Sequence, residues 1–214
     1  VYAKLLEELP RLMPAGITYH YLLPDIDWHG RILSVQESLP RPLFSVADAG
    51  YMYAAKMSGF AASYDLFTPD IGELAFLADQ NAPHPFYTRN FLLADENKAE
   101  DLIASAYATG GAAKNMLVKG KKDRLVMNGR TVFCLEEPTV EALEAIGGTG
   151  DSLTGLITAL LAAGMPLKNA GPAAMMVNRK MGALADPSPE SGIDDILNYL
   201  GRALEETPYT MSAL

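Results

Sequence analysis

The sequence predicts an α/β domain with a layered, mainly parallel sheet that is flanked by helices. Short apolar runs alternate with segments whose apolar residues recur at helical spacing, and this alternation continues for most of the 214 residues. It is typical of folds in which a helix forms each crossover between parallel strands. The runs predicted as parallel strands cover 17–23, 43–47, 64–68 and 115–119.

Two further short runs, 125–127 and 131–135, flank Asn128-Gly129. Both residues of this dipeptide accept positive φ angles, so it is a strong signal for a tight hairpin turn. We therefore expect an antiparallel hairpin after the last parallel strand. Its second strand contains Cys134, which we interpret as an ordinary strand residue because the neighbouring sequence holds no His.

Helical patterns fill most of the remaining length. One covers 99–107 and ends at Gly110-Gly111, where glycine commonly stops a helix. The last third predicts three helices: one over 153–161, one over 174–184 that Asp186-Pro187 stops, and one from Ser191, as N-cap, to 204. The longest irregular segment is expected at 78–89.

Composition limits the function classes. The chain has 17 basic and 26 acidic residues, a net charge of -9, and one Cys. An acidic surface repels phosphate backbones, so we expect no nucleic-acid partner and a local site for any phosphate ligand. The single Cys excludes a disulfide framework and favours the cytoplasm. The sequence shows no run long enough for a membrane span and no linker, so we expect one domain, 1–214, and no membrane partner.

The most informative stretch is 147–152, Gly-Gly-Thr-Gly-Asp-Ser, which directly precedes the helix at 153–161. Glycines allow a ligand to approach the backbone, and the N-terminus of a helix adds free N–H groups and partial positive charge. Asp151 repels an anion there unless it takes a proton from an attacking hydroxyl or helps to hold Mg²⁺. The alternative is structural, with Asp151 or Ser152 as an N-cap and the glycines as a tight turn.

Two other segments contain candidate site residues. In 68–73, Thr68 as N-cap and Pro69 at the first helical position explain the start of a helix. Asp70 and Glu73 then lie on one helical face and could bind Mg²⁺. Lys119-Gly120 ends a predicted strand and opens the densest cationic run, 119–124, where either a solvated loop or a polyphosphate contact is expected.

These segments together resemble the ribokinase-like superfamily. They most closely resemble its carbohydrate-kinase-related branch, the ADP- or ATP-dependent NAD(P)H-hydrate dehydratases. Four pieces occur in the family's order: Asp48-Ala49 at a strand end, 68–73 (TPDIGE), 118–120 (VKG) and 147–155 (GGTGDSLTG). The glycine motif is specific in this order and spacing, and the match runs from about residue 43 to the end.

The resemblance implies a nucleotide-dependent enzyme with ADP or ATP and Mg²⁺. The dehydratases remove water from hydrated NADH or NADPH, whereas the related kinases phosphorylate a small-molecule hydroxyl. Asp151 matches the catalytic base or its equivalent, and Glu73 matches the residue that acts on the metal and phosphates; Asp70 is the second metal candidate. The nucleotide site is then assigned to Gly147, Gly148, Thr149, Gly150, Lys119 and Gly120. A homo-oligomer is compatible with the family and with the Met-bearing helix over 174–184.

This chain departs from the family at two places. Position 70 is Asp, where the dehydratases have His and the kinases Asn. The glycine-rich βα segment of the family, which helps to form the second-substrate site, is not found before residue 43; the chain offers one strand and one helix there. The substrate half is then remodelled, supplied by a partner chain, or lost. A nucleotide-binding protein that has lost turnover is the alternative to an enzyme. His20, His29 and His84 are scattered, and we expect surface or capping roles for them.

Overall fold

A single six-stranded sheet organises the chain. The structure, a computed structural model, describes residues 4, 7–8, 10–11, 15–20, 25–82, 84 and 96–207. In that part of the chain the strands are β1 (Gly16–Tyr19), β2 (Phe44–Ala47), β3 (Leu66–Phe67), β4 (Asn115–Val118), β5 (Asp123–Met127) and β6 (Arg130–Leu135). They lie side by side in sequence order; β1 to β4 are parallel and β5 and β6 antiparallel.

Helices connect the parallel strands and then follow the hairpin. They are α1 (Ile26–Glu37), α2 (Ala49–Met57), α3 (Ile71–Ala78), α4 (Ala99–Ala108), α5 (Thr149–Ala162), α6 (Leu167–Ala185), α7 (Ile193–Leu197) and α8 (Leu200–Glu206). The predicted fold class, a mainly parallel sheet flanked by helices, is confirmed. The predicted hairpin is confirmed too, because Asn128 (φ 50°) and Gly129 (φ 78°) both adopt the left-handed region.

Alternate residues of the central strands face two separate cores. Phe67 and Met116 pack against the layer that contains α1 to α4, whereas Leu66 and Leu117 pack against α5 and α6. Successive right-handed crossovers between neighbouring parallel strands place α1 to α4 on one face. The carboxyl ends of β1 to β4 therefore reach the same edge of the sheet, and the residues that follow these strands lie near one another.

Several predicted bounds change. The strand expected at 17–23 is β1, Gly16–Tyr19, and residues 21–24 lie outside the described residues. Within the irregular segment expected at 78–89, α3 already includes Ala78, and residues 83 and 85–89 also lie outside. The front of the chain supplies the expected strand and helix as β1 and α1, and β1 pairs in parallel register with β2.

The single helix expected from Ser191 to 204 is wrong. Two short helices, α7 and α8, replace it, and the N-cap of α7 is Gly192 rather than Ser191. The Ser191 hydroxyl instead accepts a hydrogen bond from the N–H of Ser188 at 3.0 Å. The break lets Ile196 and Ala203 both face α6, while Leu197 is 40% exposed.

His29 is a core residue, so the expected surface or capping role is wrong. Its side chain is completely buried, with Nδ1 2.9 Å from the Ser58 hydroxyl and Nε2 2.8 Å from the Tyr64 hydroxyl. Tyr51 and Phe60 pack around the imidazole ring. Burial lowers the pKa of His29 from 6.5 to about 4, because the charged imidazolium would lose its hydration.

We expect His29 to make the fold sensitive to acid. Its folded-state pKa is depressed, so between pH 6.5 and 4 the unfolded chain binds the proton that the folded protein excludes. The free energy of unfolding therefore falls by up to about 3 kcal/mol as the pH drops through this window. Urea unfolding of wild type and His29→Gln at several pH values measures the effect, and His29→Gln should have the flatter profile.

Ser58→Ala is the matched control. It removes one of the two hydrogen-bonding partners of His29 but no titrating group, so it should lower stability at every pH and keep the wild-type slope. A His29→Gln profile parallel to that of wild type would contradict the assignment.

Candidate functional site

Four polar side chains follow the parallel strands at the carboxyl edge of the sheet. His20 follows β1, Asp48 follows β2, Thr68 follows β3 and Lys119 follows β4. The N-terminus of α5 points toward the same edge, and a cleft of about 770 Å³ opens between them. Open parallel sheets bind ligands at this edge, so the topology places the candidate site there.

The glycine loop exposes backbone donors to the cleft. Gly148 is the N-cap of α5 at φ +99°, and a Cβ there would lie 3.0 Å from Ile193, so only glycine fits without strain. The first N–H of the helix to bond within it belongs to Ser152, which donates to Gly148 O at 2.9 Å. The N–H groups of 149–151 precede that bond, and these three residues line the cleft. This arrangement can bind an anion.

Asp151 occupies the third helical position, so the alternative in which Asp151 or Ser152 is the N-cap is wrong. Among the residues assigned to the nucleotide from the sequence, Thr149, Gly150, Lys119 and Gly120 line the cleft. Gly147 and Gly148 do not; they shape the loop behind it.

A residue that the sequence analysis missed fixes this loop from α6. Asn178 accepts a hydrogen bond from the Ser152 hydroxyl at 2.6 Å and donates one to Thr149 O at 3.2 Å. The Thr149 hydroxyl donates to Leu143 O at 3.1 Å. The loop is therefore held by contacts to α6 and to the preceding turn before any ligand binds.

A buried ion pair joins the ends of β2 and β4. Lys119 Nζ lies 2.9 and 3.2 Å from the two carboxylate oxygens of Asp48, which is only 1% exposed. The Thr154 hydroxyl and the N–H of Ala49 also donate to this carboxylate, at 2.8 and 2.9 Å. Burial alone would lower the pKa of Lys119, but the carboxylates of Asp48 and Glu73 raise it above its ordinary value. Lys119 is therefore charged.

Lys119 also contacts the glycine loop. A Cβ on Gly150 would lie 3.3 Å from Nζ and 3.5 Å from Cδ, so glycine at this position allows the cation to approach the backbone donors. The sequence predicted Lys119 as a phosphate contact. It did not indicate that the Lys119 ammonium forms an ion pair with Asp48.

Asp70 and Glu73 form a capping box at the start of α3. Asp70 Oδ1 accepts from the N–H of Glu73 at 2.7 Å, and Glu73 Oε2 accepts from the N–H of Asp70 at 2.8 Å. Asp70 is thus the N-cap, and the expected cap at Thr68 with Pro69 as first helical residue is wrong. Both carboxyl groups line the cleft. Burial, followed by the charge of Asp70, raises the pKa of Glu73 to about 7.

His20 meets Asp151 across the edge of the sheet. Its Nε2 lies 2.9 Å from Asp151 Oδ1, and both side chains are about half exposed. Ligand atoms of His20, Asp48 and Asp151 lie within 4.8 Å of one another, a spacing that could suit a metal ion. The Lys119 ammonium already satisfies Asp48, however, so a cation is present there without a metal. Nothing near His20 in the sequence points to Asp151, which is 131 positions away.

Arg179 on α6 holds the other wall of the cleft. Its Nε donates to Asp123 Oδ2 at 2.8 Å, and its terminal nitrogens donate to Gly120 O at 3.0 Å, Lys121 O at 2.8 Å and Glu136 O at 2.6 Å. The guanidinium thus fixes the segment after β4 to the segment after β6. In the sequence Arg179 is an unremarkable helical residue.

Comparison with known proteins agrees with this architecture. A model of the NAD(P)H-hydrate dehydratase family matches residues 25–200. An uncharacterized protein of Methanocaldococcus jannaschii is 36% identical over 205 residues, which are 95% of this chain and 85% of that protein. The family match confirms the resemblance seen in the glycine and Asp motifs.

Solved structures show the same fold. The pyridoxal kinase of Staphylococcus aureus, in complex with pyridoxal, superposes with a TM-score of 0.63 at 18% identity, over 84% of this chain and 65% of that one. The tetrameric inhibited form of phosphofructokinase-2 from Escherichia coli gives 0.56 at 15% identity, over 94% and 61%. This chain therefore spans less than two thirds of the length of these kinases. Among the described residues, no helix is long and apolar enough to cross a bilayer.

The Asp48–Lys119 pair should dominate the stability of the edge. Lys119→Met leaves a buried carboxylate without its cation and is expected to lower the free energy of unfolding by about 3–5 kcal/mol. Asp48→Asn combined with Lys119→Met should recover part of that loss, because no uncompensated charge remains. Chemical denaturation of the two single variants and the double variant measures the coupling.

Lys114→Met is the control. Lys114 pairs with Asp65 at a similar distance, 2.8 Å, but its side chain is 55% exposed, and such pairs contribute about 0–1 kcal/mol. Equal losses at positions 114 and 119 would refute the special role of the buried pair.

Glu73 should make the free energy of unfolding depend on pH in the opposite direction to the dependence that His29 causes. Its pKa is about 7 in the folded protein against 4.5 for the free side chain, so between these values the folded protein binds more protons than the unfolded chain. The free energy of unfolding therefore falls as the pH rises through this window. As the pH rises from 4.5 to 8, the free energy of unfolding of Glu73→Gln should increase by up to about 3 kcal/mol relative to that of wild type. Urea unfolding without nucleotide or Mg²⁺ measures the difference. The exposed Glu190→Gln, as control, should show no such gain.

Proposed function

The chain belongs to the NAD(P)H-hydrate dehydratase family, and from that premise we propose that it uses ADP or ATP with Mg²⁺ to remove water from hydrated NADH or NADPH. One observation carries the proposal. The free N–H groups of 149–151, the Lys119 ammonium and the Asp151 carboxylate all meet at one cleft, which combines an anion site with a proton acceptor.

The cleft fits a nucleotide polyphosphate. The backbone donors would bind phosphate oxygens, and Lys119, packed against Gly150, would offset part of their charge. Arg179 and Asn178 contribute indirectly, because they hold the two segments that form the walls. The binding groups are therefore in place before the ligand arrives, which lowers the cost of ordering them.

The carboxyl groups of Asp70 and Glu73 fit Mg²⁺, which prefers oxygen ligands and is commonly held by one or two carboxylates and substrate phosphates. The ion would neutralise charge on the phosphates. Glu73 must be ionised to contribute, and its pKa of about 7 means that a proton leaves when the ion binds. The capping box fixes the direction of both side chains.

Asp151 would act on the hydroxyl of the hydrate. It accepts the hydroxyl proton while the oxygen bonds to the terminal phosphorus, and the bond from that phosphorus to the rest of the nucleotide breaks. Phosphate is a better leaving group than hydroxide. When the carbon–oxygen bond then breaks and the neighbouring carbon loses a proton, phosphate leaves and the double bond forms, with net removal of water.

Phosphorylation of a small-molecule alcohol is the second candidate. The same first step, without elimination, is a kinase reaction, and the solved structures with this fold include a kinase in complex with pyridoxal. The two functions are separated by incubating the protein with Mg²⁺ and ADP or ATP. Loss of NADH hydrate supports the dehydratase, whereas phosphorylation of an alcohol with the hydrate untouched supports the kinase.

Asp151→Asn should abolish most turnover and spare binding. Removal of a general base typically costs about 10²–10⁴-fold in rate, whereas the backbone donors of the loop stay in place. We therefore expect the rate of hydrate consumption to collapse and the nucleotide dissociation constant, measured by calorimetry, to stay close to that of wild type. Asp194→Asn, an exposed first-turn Asp of α7, is the matched control.

Nucleotide binding without turnover of either substrate in wild type would contradict both enzymatic candidates and favour a non-catalytic nucleotide-binding protein.

A further inference from the structure

Among the described residues, four helices carry an acidic residue at the third helical position: α3, α4, α5 and α7. Asp101, in α4, forms no capping box. In α3 and α7, that residue folds back on its own helix: Glu73 accepts from the N–H of Asp70 at 2.8 Å, and Asp195 accepts from the N–H of Gly192 at 2.9 Å. In α3 the bond is half of a capping box, and in α7, where the N-cap is glycine, it stands alone; in both it satisfies a free donor at the start of the helix. Asp151 in α5 instead bonds His20, at 2.9 Å.

The difference matters because α5 begins at the phosphate-binding loop. A carboxylate that folded back onto Gly148 would bring negative charge to the donors on which the proposed nucleotide site depends. Capping and phosphate binding thus compete for the same end of the helix. The His20 imidazole offers Asp151 a different partner, at the end of β1 and outside the loop.

We propose that His20 is a positioning residue that holds Asp151 out of the helix cap. The proposal rests on the nucleotide site proposed above and adds a residue that neither the family motifs nor the sequence pattern assigned. By bonding Oδ1, His20 keeps the backbone donors of 149–151 available to phosphate and leaves Oδ2 to accept the proton of the reacting hydroxyl. Among the described residues, His20 provides the one side-chain hydrogen bond that reaches Asp151.

The surroundings favour this role over metal binding. The carboxylate of Asp48, the third group near His20 and Asp151, already accepts from Lys119, Thr154 and Ala49. Its oxygens are turned toward these donors rather than toward an open site. His20 and Asp151 are therefore left as a pair, at a distance that suits a charge-assisted hydrogen bond.

Nucleotide affinity tests the proposal independently of turnover. His20→Leu frees Asp151 to cap its helix, so the affinity for ADP with Mg²⁺ should fall by about 5-fold or more, the equivalent of one hydrogen bond. His20→Gln retains an N–H donor at a similar distance and should bind nearly as wild type does. In an Asp151→Ala background, His20→Leu should have no further effect, because no carboxylate is left to compete.

Three results would overturn the proposal. Unchanged affinity in His20→Leu would show that Asp151 stays clear of the loop unaided. An equal loss in the Asp151→Ala background would show that His20 acts on the nucleotide or the fold directly. A loss of affinity for Mn²⁺ alone in His20→Leu, measured by calorimetry without nucleotide, would make His20 a metal ligand.

The same variants separate this proposal from the proposed reaction. If wild type consumes no NADH hydrate while the affinity cycle shows the expected coupling between positions 20 and 151, the reaction is wrong and the positioning role stands. If wild type is active and the cycle shows no coupling, the positioning role is wrong and the reaction stands.

Discussion

The buried contact between Asp48 and Lys119 organises the carboxyl edge of the sheet. The carboxylate caps α2 through the N–H of Ala49, binds the end of β4 through Lys119 and reaches α5 through Thr154. Both layers of the molecule and two strands therefore meet at one group that is 1% exposed. Because a charge buried this deeply needs its partners, the positions of α2, β4 and α5 depend on one another. Because the glycine loop begins α5, the contact between Thr154 and Asp48 also helps to position the loop.

The loop itself shows how a helix start can be kept open for a ligand. Most helices satisfy their first N–H groups with a capping side chain, as α3 does with Asp70. In α5 the N-cap is Gly148, which has no side chain to offer, and its φ of +99° fits only glycine without strain. The hydroxyls of Thr149 and Ser152 contact carbonyl oxygens and the Asn178 amide rather than the N–H groups of the first turn. The first N–H groups of α5 are therefore left without a capping side chain.

The sequence predicted those features that depend on local rules. The alternation of apolar runs predicted the parallel sheet, Asn128-Gly129 predicted the hairpin, and the glycine spacing predicted the loop. Each of these features is encoded within a few residues. It did not predict the partners of His20, Asp48 or Arg179, which lie 131, 71 and 56 positions away along the chain. Only the completed sheet, with neighbouring strands ending at one edge, brings such residues together.

Position 70 shows that a change of charge can preserve structure and still alter chemistry. Asn and Asp cap helices about equally well, so the geometry of α3 does not require a carboxylate. The charge of Asp70 acts on Glu73, whose buried carboxyl group already resists ionisation, and together they raise its pKa to about 7. The ammonium of Lys119, whose backbone N–H donates to Pro69 O next to this turn, opposes the shift. If the proposed site holds a divalent cation, Asp70 would attract it more strongly than a neutral residue would. Binding would also depend more on pH, because the cation would displace a proton from Glu73.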